Sequence, residues 1–149
     1  MGASQSRKRP EMNNKELRCK RVVAVFSLLL MLMVIPNTLE DFALGEPAKN
    51  GIPSLILLGV VAGLIAVQAL GLYYIGGNHR RGYFIQMGVG LIWPLLAGSA
   101  QLPAILSTHP YRDGFTSTFF VIGMIVLGVL LFLASIRGLW VTRKKKISE

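Results

Sequence analysis

Four stretches of the chain carry no charged residue, at positions 22–39, 54–75, 83–106 and 115–136. About 20 residues in an α-helix rise roughly 30 Å, the thickness of a bilayer's hydrocarbon core. Each run is far longer than a strand and lacks strict alternation. The pattern therefore predicts an all-α membrane protein, a bundle of four transmembrane helices.

The breaks between the runs support this division. Residues 40–53, EDFALGEPAKNGIP, hold three acids with Gly45, Pro47, Gly51 and Pro53, the composition of a surface loop. Pro53 suits the first turn of the second helix. GGNHRRG at 76–82 is a tight connection between antiparallel helices. STHPYRDG at 107–114 is the third break, and Asp113 is placed to cap the last helix. Pro36 and Pro94 fall inside runs, where a missing N–H donor is expected to bend the helix.

The organisation is then a basic segment 1–21, a transmembrane domain 22–140 and a basic tail 141–149. Charge sets the orientation. With the N-terminus cytoplasmic, fourteen of the 16 Lys and Arg lie on the inner side and only Lys49 and Arg112 on the outer. That is the positive-inside asymmetry, and it predicts both termini in the cytoplasm. Arg80 and Arg81 open the third helix, where the helix dipole disfavours cations, so topology accounts for them better than local stability.

Composition agrees with lipid as the solvent: 52% hydrophobic, 15% charged and a mean hydropathy of +0.53 over 149 residues. The net charge of +9 sits outside the apolar runs. It is therefore assigned to the anionic inner leaflet of the bilayer, with no nucleic acid as partner. Cys19 alone excludes an intrachain disulfide and any cysteine-rich metal site. His79 and His109 flank the third run at opposite ends, roughly a membrane thickness apart, which excludes a bis-histidine haem. No cofactor is expected. The first six residues match an N-myristoylation pattern, but a chain with four spans gains little from one acyl chain. A signal peptide cleaved after Gly45 fits poorly with the long basic head and Glu40-Asp41, so the first span reads as an uncleaved anchor.

Three sets of residues carry candidate chemistry. Glu40 and Asp41 after the first run, with His109 and Asp113 after the third, share the outer side and offer ligands for a cation or a proton. Hydrated loops are polar in any case, and no metal-ligand spacing accompanies these four. Gln68, Gln86 and Gln101 lie within runs, where an amide needs a partner; they either glue helices together or line a pathway. Gly59 and Gly63 form a G-x-x-x-G step, and Gly82, Gln86, Gly90, Pro94 and Gly98 recur every four residues. Both rows predict close backbone approach, in the bundle interior or at a dimer contact.

No Asp, Glu, Lys or Arg occupies the middle of a span, which argues against a proton-coupled exporter built on an intramembrane carboxylate. There is no catalytic constellation. The reading that follows is a non-enzymatic membrane protein of the cell membrane, an accessory or scaffold subunit associating with itself or another membrane protein. The alternative is a small transporter, with the three glutamines along a path and Glu40, Asp41 and His109 at its mouth.

Overall fold

The computed structural model describes residues 14–49, 51–106 and 114–145. They form α1 (Asn14–Ala43), a single turn α2 (Glu46–Lys49), α3 (Ser54–Gly76), α4 (Arg80–Ile105) and α5 (Phe115–Lys145). The described residues contain no strand. Four of the helices, α1, α3, α4 and α5, are long and apolar enough to cross a membrane, and the chain fits a multi-pass membrane protein.

Two helices outrun their apolar stretches. α1 begins at Asn14, eight residues before the uncharged run. Glu16 lies in its first turn, where the helix dipole favours an acid, and pairs with Lys20 one turn on at 3.5 Å. α5 continues through Arg137 to Lys145, and its last turns carry cations, which the C-terminal end of a helix favours. The helices continue past their prolines, α1 through Pro36 and α4 through Pro94 and Pro103, each proline leaving out one backbone donor.

α3 and α4 join by the expected short turn. Gly77 N–H donates to the Tyr73 carbonyl at 3.0 Å and His79 N–H to that of Tyr74 at 2.9 Å, while Asn78 takes a left-handed φ of 64°. Asparagine tolerates that conformation better than most residues.

α5 packs against both α1 and α4; α3 packs on α4 and only lightly on α1. The buried positions of α1 are Lys20, Val23, Ser27, Leu30, Val34 and Asn37, and those of α5 include Ser117, Val121, Met124, Gly128, Leu131, Ser135 and Gly138. Both series advance by alternating steps of three and four, the seam of left-handed helix packing. Seam residues are small or polar as often as large, whereas Leu32, Leu55, Leu95, Phe115 and Leu133 point outward. In lipid this is expected, because burying a leucine against protein offers little over leaving it against acyl chains, and close helix approach decides instead.

Candidate functional site

At mid-bundle, three helices meet through Gln68. Its Nε2 donates to both the backbone carbonyl of Ser27, at 2.9 Å, and the Ser27 hydroxyl, at 3.0 Å. Its Oε1 accepts from Trp93 Nε1 at 3.4 Å. Its backbone carbonyl accepts from Gln86 Nε2 at 2.7 Å. Gln68, Gln86 and Ser27 are fully buried and Trp93 is nearly so. One side chain on α3 thus ties α1 to α4, and polar groups that would be costly in hydrocarbon are paired. Gln86 Oε1 is the network's one buried side-chain oxygen without a partner.

Gln86 is joined to Gln68 through the latter's backbone carbonyl. Gln101 joins neither: it is buried two turns further along α4 than Trp93, with Oε1 unpaired. A surface hollow on α5 is lined by Leu133, Ile136, Arg137, Trp140 and Val141, residues of one outward stripe, and none of the three glutamines reaches it.

Glycine packing falls elsewhere than the G-x-x-x-G step indicates. A Cβ on Gly59, Gly63 or Gly98 would meet nothing within 4 Å, so none of the three is a close contact within this chain. At Gly90 it would lie 2.7 Å from the Phe132 backbone nitrogen and 2.8 Å from the Gly128 carbonyl oxygen. Gly82 meets the Gly71 carbonyl oxygen at 2.6 Å, Gly128 receives the Pro94 ring and Gly138 receives the Tyr83 ring. The row at 82, 90 and 94 therefore serves two neighbours, α3 first and α5 afterwards.

Of the outer polar residues, Glu40 and Asp41 lie on the last turns of α1; His109 and Asp113, including the proposed cap, fall outside the described residues. Glu40 Oε1 accepts a hydrogen bond from the hydroxyl of Ser117 on α5, which is completely buried. Asn37 Nδ2 points to Asp41 Oδ2 at 3.5 Å. Among the described residues no group of three or more His, Cys, Asp or Glu is placed to hold a metal.

Ser27, Trp93 and Ser117 take part as well, though none of them is an intramembrane amide. Ser27 and Ser117 carry a legible signal, since each sits on a seam with three-four spacing. Trp93 has none, because an indole in an apolar run resembles any other large side chain.

No family model, curated protein or solved structure matches the chain.

Proposed function

We propose that the chain is a non-enzymatic subunit of a membrane assembly, an accessory or scaffold component of the cell membrane. Both termini face the cytoplasm and their basic residues rest on the anionic inner leaflet. The observation that carries this reading is the uncovered face of α3. Only 17% of the most apolar stretch of α3 is buried within the chain, against 33% for α4. Gly59, Ala62, Gly63 and Ala66 all lie on exposed surface there. Large apolar side chains facing lipid are ordinary, but a mid-helix glycine row weakens the helix unless another backbone comes close. A helix of a second subunit supplies that backbone.

The permeation alternative draws less support. It needs Gln68, Gln86 and Gln101 along one path, whereas the first two are held in a packed network and the third stands apart.

Crosslinking in native membranes tests the subunit reading. Leu55, 81% exposed at the start of α3, is changed to cysteine in a Cys19→Ser background. The expected result is a discrete adduct of higher mass, from a second copy or another membrane protein. A chain that stays strictly monomeric and copurifies with nothing refutes the proposal.

A further inference from the structure

Near the C-terminal end of α5 its outward stripe holds a hollow of about 400 Å³, lined by Leu133, Ile136, Arg137, Trp140 and Val141. Leu133 and Trp140, which bracket it, are both exposed, so it opens away from the bundle. Arg137 is its one charged lining residue and the first charge after the uncharged run 115–136, the depth at which hydrocarbon gives way to headgroups. Leu133 lies one turn deeper. The hollow therefore straddles that boundary, with an apolar floor on the hydrocarbon side and a cation and an indole at its mouth.

A guanidinium at this depth needs acceptors for five N–H donors. Neither α4 nor α5 contains an acid, and Arg137 has no ion pair among the described residues. Tyr83 lies against Gly138 and Pro94 against Gly128, so α4 runs antiparallel to α5 and its first residues, Arg80 and Arg81, stand at the level of Trp140 and Val141. The mouth is thus cationic on both helices, with no carboxylate on either to offset it.

We propose that this hollow binds one anionic phospholipid, with its phosphate on the Arg137 guanidinium and an acyl chain laid against Leu133 and Ile136. The planar fork of arginine matches a phosphate, and the Trp140 indole N–H offers a further donor at headgroup level. The charge of Arg80, Arg81 and Arg143 at that level disfavours a headgroup ending in choline or ethanolamine, so a headgroup without a cationic end, such as phosphatidylglycerol, is selected. A second copy meeting this stripe symmetrically would instead bring two Arg137 side chains together on faces that hold no acid. The inner leaflet as the source of the lipid rests on the orientation proposed above. Recognition itself does not, and reporter insertion tests the orientation separately.

The test reads Trp140 fluorescence from the full chain in phosphatidylcholine nanodiscs that contain a small fraction of lipid with brominated acyl chains. The chain has two tryptophans, and Trp93→Phe leaves Trp140 as the only emitter. Brominated phosphatidylglycerol should quench roughly five- to tenfold more per molecule than the same fraction of brominated phosphatidylcholine. Arg137→Gln should bring that ratio close to one, and Arg137→Lys should keep part of it. Arg143→Gln removes the same charge one turn from Trp140 but outside the hollow, and should leave most of the preference. If Trp93→Phe does not fold, the natural chain is read in the same way, because Trp93 is buried and adds a background common to both lipids. Equal quenching by the two lipids overturns the proposal. So does a loss with Arg143→Gln as large as with Arg137→Gln, which would mean diffuse attraction to the charged surface, and so does a Trp140 shielded from both lipids, which would put a protein partner in the hollow.

Discussion

The amide of Gln68 donates to both the carbonyl and the hydroxyl of Ser27, at 2.9 and 3.0 Å, joining residues 41 apart in the chain. No other side chain among the hydrogen bonds seen here joins three spans. Gln68→Leu, similar in volume, leaves the Ser27 hydroxyl and the Trp93 indole without this partner. It is expected to cost about 1–2 kcal/mol, the upper range for interhelical side-chain bonds in membranes. Gln86→Leu loses one bond but also removes an unpaired buried oxygen, so its cost should stay within about 0.5 kcal/mol. Reversible unfolding in mixed micelles orders the two variants. A Gln86 effect as large as that of Gln68 would show that the network has a different centre.

Gly90→Ala and Gly59→Ala separate packing within the chain from packing outside it. At Gly90 the new methyl meets backbone atoms of α5 that have no rotamer by which to yield. Destabilisation of about 1–3 kcal/mol is expected. At Gly59 it meets nothing, and the stability of the isolated chain should be unchanged or slightly higher. Under the subunit proposal, Gly59→Ala should instead reduce the yield of α3 crosslinks. Equal unfolding effects at the two glycines would contradict the packing described.

Lys20 and Glu16 form an ion pair at 3.5 Å with side chains only 10% and 12% exposed. Removing the Lys20 charge takes the ion-pair partner from the largely desolvated Glu16 carboxylate. A double-mutant cycle of Lys20→Met and Glu16→Gln should give a coupling of about 0.5–3 kcal/mol, with the double variant more stable than the sum of the singles implies. Strict additivity would mean that water screens the pair.

Orientation is tested by reporter insertion. A reporter beside Lys49 should read external and one beside Asn78 internal, as the distribution of Lys and Arg requires. The reverse pattern removes both the orientation and the inner-leaflet role of the basic ends.

Much of the architecture was legible because bilayer thickness imposes a length. The four uncharged runs match α1, α3, α4 and α5, and the Gly77-Asn78 turn falls where glycine and a short polar break indicated it. The helix ends were less legible. Glu16 with Lys20 starts α1 inside a segment that looks like a solvated basic tail, and the tail cations extend α5, because ion pairs and the helix dipole act where hydropathy is silent.

By itself the sequence determined the number of spans, their approximate lengths and the asymmetry of charge about them. Each depends only on which residues tolerate hydrocarbon. Tertiary structure decided which face of each helix turns inward, that Gln68 engages Ser27 and Trp93, and that Gly90 packs within the chain while Gly59 and Gly63 are left on its surface. The physical reason is that lipid is as apolar as leucine, so hydrophobicity does not distinguish the inside of a bundle from its outside. Shape complementarity and hydrogen-bond pairing make that choice, and both are properties of pairs of helices, invisible along any one of them.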